Sequence, residues 1–346
     1  MRSDLQEAFR QQARDCRRLG SPFNALVCEV LSERLDASTR FGRIIDTWQG
    51  APVLDALALR AAGALHGLAR SGQCERLTAQ YPPHAWGEPD PLWTAIAEAL
   101  IAHEAFLCEY LDRPPQTNEV GRSSALLGGA LQIAERTGLP LSWHEIGASA
   151  GLNLAFDQYR YDLGSVQYGD MDCPVAIRSS WEGRLPPVAA RLHVAERAGA
   201  DLNPLPANSA VLRERLISYV WPDQSERIER TLAALAVVAG APWGVERAGA
   251  SEWVARHFSP PLRHDRVHVL AHTIVWQYLS QGDRDAMTTV MNDAGRLATE
   301  RAQVAWLCME ADNVDDGAGL HLTLWPGGQR NLIGRADFHG RWIRWL

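Results

Sequence analysis

The chain has 346 residues, of which 46% are hydrophobic, so it can bury a large core and is expected to form two packed units. Its formal net charge is -7, which argues against a surface dedicated to nucleic acid or to anionic membranes. The 6 cysteines lie far apart and form no C-x-x-C pair, which is typical of reduced thiols and not of a disulfide framework or a zinc site.

The amino-terminal third is predicted to be helical. Residues 1–20 are charged throughout and lack the apolar segment of a signal peptide, and no apolar run in the chain is long enough to span a bilayer. We therefore expect a cytoplasmic protein. After a first helix that ends at Gly20, helices are predicted over 23–35, 55–70 and 92–111, with an extended proline-rich connector at 81–91. Together these elements predict a helical domain, residues 1–113; the alternative is a set of helices packed directly on the next domain.

From residue 123 onward, predicted helices and strands alternate, which indicates a largely parallel sheet. Strands are predicted at 139–146, 191–198, 243–248, 266–271 and 304–310, and helices at 123–137, 226–239 and 284–299. An irregular insertion at about 159–187 interrupts this order. Strands at 320–325 and 338–346 are expected to form a terminal antiparallel hairpin. The prediction is an α/β domain over residues 114–346 with seven strands.

The most informative motif, Glu145-Ile-Gly147-Ala-Ser149-Ala-Gly151, closes the first predicted strand and opens a helix. A strand, a glycine turn and a helix place backbone N–H groups and a helix N-terminus against a small polar ligand. Gly147 would permit a positive φ, and Gly151 would let the helix pack close to the strand. A carboxylate at the position of Glu145 suits a ligand with an amine or hydroxyl groups. The alternative is a turn without a ligand.

The pattern E-x-G-x-x-x-G resembles the first motif of class I S-adenosylmethionine-dependent methyltransferases, with Ser149 in place of the middle glycine. The expected strand order is also similar to theirs, and implies a Rossmann-like, mostly parallel seven-stranded sheet. Asp201 follows the next strand and resembles the acid of their second motif, which binds the ribose hydroxyls. The alternative for Asp201 is a helix cap or an Asx turn. The segment 249–251 lacks the acid that many of these enzymes place against adenine.

This resemblance implies that the polar segment before the first strand folds over the methionine end of the cofactor. The implied cofactor-binding residues are Gln116, Asn118, Arg122, Glu145, Gly147, Ser149, Gly151 and Asp201. Arg122 would hold the cofactor carboxylate with two hydrogen bonds; the alternative is an ion pair with Glu119. A pocket lined by the turn, Asp201 and the segment 116–122 is therefore expected at the carboxyl edge of the sheet.

Two further residues follow the fourth predicted strand, where this fold places residues that face the methyl acceptor. His272 and Tyr278 are the implied catalytic residues, and His272 could act as a general base at neutral pH. The alternative for His272 is a hydrogen-bonded core histidine.

Nearly the whole chain resembles an uncharacterised bacterial family, a conserved domain of unknown function. The residues that carry this resemblance are the segments 115–122, 145–154, 220–224 and 272–278. It implies a methyltransferase-like fold without an established reaction. We expect S-adenosylmethionine as the cofactor, a small-molecule substrate and no metal. The alternative is a non-catalytic binding or assembly module with a degenerate pocket, and a nicotinamide oxidoreductase is disfavoured by the glycine spacing.

Overall fold

The computed structural model describes residues 1–314 and 316–346. Across these residues the chain divides into two compact units. The first comprises Met1–Thr117 and Ala210–Glu229, and the second comprises Asn118–Ser209 and Arg230–Leu346. None of the helices in the described part of the chain is both long enough and apolar enough to cross a membrane.

The secondary structure begins with consecutive helices and continues with strands and helices in alternation. The helices are α1 (Ser3–Arg18), α2 (Pro22–Arg34), α3 (Arg40–Asp46), α4 (Leu57–Ser71), α5 (Glu75–Thr78), α6 (Pro89–Ala102), α7 (Glu104–Leu111), α8 (Ser123–Thr137), α9 (Ala210–Ser218), α10 (Ser225–Ala239), α11 (Ala250–Phe258) and α12 (Gln281–Arg296). The strands are β1 (Leu141–Ile146), β2 (Arg160–Asp162), β3 (Gln167–Tyr168), β4 (Ala176–Arg178), β5 (Ser180–Gly183), β6 (Val194–Asp201), β7 (Val245–Arg247), β8 (Arg266–Thr273), β9 (Ala302–Glu310), β10 (Ala318–Trp325), β11 (Gln329–Ala336) and β12 (Trp342–Trp345). Short 3₁₀ helices lie at Val120–Arg122, Leu152–Gln158 and Trp276–Tyr278.

The first unit is helical, with α1 packed along α2 and α4 packed on α7. The side chain of Ser21 caps α2 by accepting a hydrogen bond from the backbone N–H of Asn24. The sequence predicts one helix over 92–111, whereas the structure has α6 and α7, because the backbone of His103 (φ -125°, ψ 31°) leaves the helical region. Helix α6 begins at Pro89, inside the predicted connector, since proline is tolerated in the first turn of a helix.

The second unit is built on a sheet that has nine strands among the described residues, in the order β5-β12-β11-β10-β9-β8-β1-β6-β7. Strands β9, β8, β1, β6 and β7 run parallel, and β10, β11 and β12 continue the sheet as an antiparallel meander. The predicted α/β class with a large, mostly parallel sheet is confirmed. The predicted number of seven strands and the terminal hairpin are not what the structure shows.

Two strands account for this difference. The sequence does not predict β11, because most of its residues are polar or lie beside glycine and so lack a strand pattern. It also does not predict that β5, from the insertion, pairs in parallel with β12 at the edge of the sheet. The rest of the insertion forms a small sheet in the order β3-β2-β4. The buried phenol groups of Tyr159 and Tyr161 donate to the carbonyl groups of Leu152 and Phe156, and so fix this sheet to the 3₁₀ helix that follows β1.

Helices cover the two faces of the parallel strands. On the first, which we call the α8 face, Trp143 of β1 packs against Phe156, with ring centroids 4.4 Å apart. On the second, which we call the α12 face, His144 of β1 packs against Phe258 of α11, with ring centroids 5.2 Å apart. Because successive residues of a strand point to opposite faces, Glu145 lies on the α8 face.

Candidate functional site

The parallel strand order reverses at β1, which is flanked by β6 on one side and by β8 on the other. Open α/β sheets bind ligands outside the carboxyl ends of their strands at such a reversal. Glu145 is the penultimate residue of β1 and is level with Gly199 of β6 and Ala271 of β8. The glycine turn, residues 147–151, follows directly. The structure therefore places the predicted motif at the position in the sheet where this class of fold binds ligands.

The glycine turn has an unusual backbone. Gly147 (φ 65°), Ser149 (φ 54°) and Gly151 (φ 76°) all adopt left-handed conformations. Glycine does so without steric cost, but a residue with a side chain does not. A Cβ atom added at Gly147 would also lie 2.6 Å from Cγ2 of Val275, in the loop after β8. This position therefore requires glycine for two separate reasons.

Two side chains from other segments hold the turn. The backbone N–H of Ser149 donates to Oδ2 of Asp201 (3.0 Å). The backbone N–H groups of residues 150 and 152 donate to Oδ1 of Asn118 (3.2 and 2.9 Å). The structure thus brings Asn118 and Asp201 to the turn, as the sequence predicts, but as partners of its backbone donors. Since these donors are already used, the turn is poorly suited to bind a phosphate group.

Two polar side chains at the start of this turn and within it are almost completely buried. The side chain of Glu145 is 1% exposed and that of Ser149 is 4% exposed. Among the residues that the structure describes, neither Oε2 of Glu145 nor Oγ of Ser149 has a hydrogen-bond partner. Burial raises the pKa of Glu145 to about 8; the nearby charge of Arg122 opposes this rise, and that of Asp201 adds to it. Buried polar groups without partners are rare, so Glu145 and Ser149 make this turn a candidate binding site.

Asp201 has a second structural role. Its Oδ1 accepts from the backbone N–H of Asn203 (2.8 Å), which is the Asx turn that the sequence allows as an alternative. Its two carboxylate oxygens therefore fix two loops, and both oxygens retain further lone pairs. Binding of a diol and stabilisation of the turn are compatible roles for this side chain.

Replacing Asp201 with alanine should lower the free energy of unfolding by about 1.5–3 kcal/mol, because two backbone donors lose a charged acceptor. Asp201→Asn, which keeps one acceptor oxygen, should lose about half as much. Urea unfolding of the two variants beside the natural chain measures this. Equal stability of all three proteins would show that Asp201 does not hold the turn.

Arg122 extends from the 3₁₀ helix before α8 towards the same edge of the sheet. Its Nε donates to the carbonyl of Phe338 (2.9 Å) and its Nη1 to the carbonyl of Thr273 (3.3 Å). Its charge lowers the pKa of the Glu145 carboxyl group, against the larger effect of burial. Arg122 is thus anchored beside the site by backbone carbonyls.

Glu119 has partners other than the one considered from the sequence. Its Oε1 accepts from the backbone N–H of Gly121 (2.9 Å) and from Nη2 of Arg230 (3.3 Å). Glu119 is 3% exposed, so this pair is a buried anchor of the segment before α8. Gln116, the remaining predicted cofactor-binding residue, belongs to the first unit.

His272 is buried in β8 on the α12 face, with both ring nitrogens hydrogen-bonded. Nδ1 lies 2.6 Å from Oε1 of Glu310, and Nε2 lies 2.9 Å from the indole nitrogen of Trp306. An indole N–H can only donate, so Nε2 accepts and Nδ1 carries the proton. This geometry is that of the hydrogen-bonded core histidine that the sequence leaves open. Tyr278, by contrast, is 72% exposed, and the catalytic roles of both residues stay predictions.

A cavity of about 290 Å³ opens on the α12 face, and its walls include His272 and Trp276. The pocket expected from the sequence is lined by the glycine turn, Asp201 and the segment 116–122. None of those residues, all of which the structure describes, lines this cavity. The glycine turn and the cavity are therefore two separate candidate sites.

Two acids near these sites are not predicted from the sequence. Glu310 is the last residue of β9, much as Glu145 is the penultimate residue of β1. Its position at the end of a predicted strand could therefore have identified it from the sequence. Asp283 of α12 accepts from the hydroxyl of Ser251 (2.6 Å) and so brings a carboxylate beside the segment 249–251. No local sequence pattern connects these two residues, which lie 32 positions apart. Within the described part of the chain, no group of three or more His, Cys, Asp or Glu residues could hold a metal ion.

Comparison with known protein families relates nearly the whole chain to a bacterial family. The model of a family described as uncharacterised proteins conserved in bacteria (DUF2332) matches residues 6–345. No curated protein matches the chain. The family expected from the sequence is therefore confirmed, whereas its description gives no reaction.

Proposed function

The chain belongs to this family of uncharacterised bacterial proteins, and we propose that it is an S-adenosylmethionine-dependent methyltransferase that acts on a small molecule. The observation that carries the proposal is Oε2 of Glu145, which is buried at the carboxyl end of β1 and has no hydrogen-bond partner among the described residues. A carboxylate in that place needs a ligand that donates hydrogen bonds or carries positive charge. The cofactor has both, as an amine, a sulfonium and two ribose hydroxyls.

The distribution of donors and acceptors supports this ligand over a dinucleotide. A pyrophosphate would need free backbone N–H groups in the glycine turn, but Asn118 and Asp201 already accept from these groups. What the site offers instead is the carboxylate of Glu145, the hydroxyl of Ser149 and the remaining lone pairs of Asp201. Because these groups can accept hydrogen bonds, they favour a ligand that carries hydrogen-bond donors.

Each residue then has a role in the proposed site. Glu145 would accept a hydrogen bond from the amine of the cofactor, and Asp201 would accept from its ribose hydroxyls. Arg122 would attract the carboxylate of the cofactor. When bound, the cofactor supplies an electrophilic methyl group. The residues around it hold the reactants in line and exclude water.

A non-catalytic binding module is the second candidate, and one observation favours it. Both ring nitrogens of His272 are hydrogen-bonded to side chains, so this histidine has no free nitrogen that could take a proton from an acceptor. Such a module would bind the cofactor without turnover. The two candidates differ in methyl transfer and not in binding.

Calorimetric titration with S-adenosylmethionine and with its demethylated product tests the proposal. We expect both to bind, and we expect Ser149→Ala to weaken binding by about fivefold to tenfold because a hydroxyl partner is lost. Ser142→Ala is the matched control, since Ser142 lies at the other end of β1 and should leave affinity unchanged. No binding of either compound at millimolar concentration would refute the proposal. Binding of a dinucleotide in their place would point to an oxidoreductase.

A further inference from the structure

The cavity on the α12 face is lined by residues of neighbouring strands and of α12. His272, Cys308 and His321 lie side by side on β8, β9 and β10, because the strand register aligns them. Three indole rings add apolar walls, from Trp276, Trp306 and Trp325, and α12 adds the polar side chains of Thr288 and Asn292. The volume of about 290 Å³ is at the lower end of the range for small-molecule sites. The cavity can therefore hold a small, largely planar molecule.

The walls near β8 are held rigidly by Glu310. Its Oε1 accepts from Nδ1 of His272 (2.6 Å) and from the backbone N–H of Val275 (3.1 Å), and its Oε2 from that of Trp276 (3.3 Å). Ile274, which precedes Val275, has φ 52°, a backbone conformation that is rare for a residue with a β-branched side chain. The ring of Trp276 stacks on that of His272, with an angle of 15° between the planes. Glu310 thus holds the aromatic wall in place, and both of its side-chain oxygens accept hydrogen bonds from that wall.

The second acid of the cavity is also paired. Asp312 makes two hydrogen bonds to Arg335, from Nη1 to Oδ2 (2.8 Å) and from Nη2 to Oδ1 (2.9 Å). The guanidinium holds the pKa of Asp312 below its usual range. The charge of Asp312 is thus compensated by Arg335, and the two oxygens of Glu310 already accept three hydrogen bonds.

Arg330 is the exception among the charged residues of the lining. It makes no ion pair with any carboxylate in the described part of the chain, and it lies against Cys308 and His321. Burial and the charge of Arg330 both lower the pKa of His321, so that ring is neutral at pH 7. The buried Nδ1 of His321 has no hydrogen-bond partner among the described residues. The lining of the cavity therefore includes an arginine that has no carboxylate partner among the described residues and a histidine with an unpaired ring nitrogen.

We propose that this cavity binds a small aromatic carboxylate, with its ring against the tryptophans and its carboxylate on Arg330. A guanidinium holds a planar carboxylate through two hydrogen bonds, and indole rings stack on planar ligands. Because the cavity lies on the opposite face of the sheet from Glu145, this inference is independent of cofactor binding. It names a second site and its ligand class.

The test is a calorimetric titration with four probes of similar size. We expect 2-naphthoate to bind, and its methyl ester and decahydronaphthalene-2-carboxylate to bind at least about tenfold more weakly, since the ester lacks the charge and the saturated acid lacks the aromatic rings. Benzyltrimethylammonium should not bind. Preference for that cation, or equal affinity for the acid and its ester, would overturn the proposal.

Variants locate the site. Arg330→Gln should weaken binding of 2-naphthoate by about tenfold, and Arg330→Lys by less, because an ammonium keeps the charge but not the paired geometry. Arg10→Gln removes an arginine of α1 that is also exposed and is the matched control. Ser149→Ala should leave this affinity unchanged, which separates this site from the cofactor site. An unchanged affinity in Arg330→Gln would show that the acid binds elsewhere.

Discussion

Replacing Glu145 with glutamine should stabilise the unliganded protein increasingly as the pH rises from about 5 to about 8. Burial raises the pKa of this carboxyl to about 8 in the folded protein, against 4.5 for the free side chain. Between these values the unfolded chain has lost a proton that the folded chain retains. The free energy of unfolding of the natural chain should therefore fall by up to about 1.4 kcal/mol per pH unit, a few kcal/mol in total. Glutamine does not titrate, so the variant should lack this slope.

The comparison of slopes is the decisive measurement, because a buried amide has its own cost that does not depend on pH. Urea unfolding of both proteins at pH 5, 6, 7 and 8 gives the two slopes. Glu252→Gln, which removes an exposed glutamate of α11, is the control and should keep the slope of the natural chain. Parallel slopes for the natural chain and Glu145→Gln would mean that Glu145 is not buried in its protonated form. The same variant should lose cofactor binding, since an amide cannot ionise to form an ion pair with the amine of the cofactor.

A group that destabilises the unliganded fold needs a reason to be there. In the part of the chain that the structure describes, Oε2 of Glu145 has no hydrogen-bond partner, and burial raises the pKa of this carboxyl group. Active and binding sites commonly keep such groups at a cost in stability. The expected gain in stability of Glu145→Gln and its expected loss of binding are two consequences of one observation.

The parts of the fold that are predictable from sequence are those with a local signal. The apolar runs of β1 and β8 appear in the sequence almost where the structure has them, and the glycine turn is visible as a motif. Strand β11 has no such signal, because it is held by pairing between β10 and β12 and not by an apolar pattern. The same is true of β5, which joins β12 from more than 150 positions away in the chain. Register between distant strands is a tertiary property.

The candidate site is also predictable from the sequence only where the signal is local. The acids Glu145 and Asp201 stand at strand ends, so the rule that sheets bind ligands at their carboxyl edge finds both. That Asn118 accepts from the turn, and that Trp306 occupies Nε2 of His272, depends on contacts between segments far apart in sequence. No spacing or composition reports such contacts.

Gly147→Val should destabilise the fold more than any other substitution considered above. A β-branched residue at φ 65° is strained by about 1–2 kcal/mol, and overpacking against Val275 adds about 1–3 kcal/mol. Gly138, after α8, separates these two costs, since it has nearly the same φ of 64° but no atom within 4 Å of an added Cβ. Gly138→Val should therefore lose only the first amount, and the difference in urea midpoint between the two variants measures the contact with Val275. If both variants lose the same stability, the glycine turn does not pack closely against Val275 in the loop after β8.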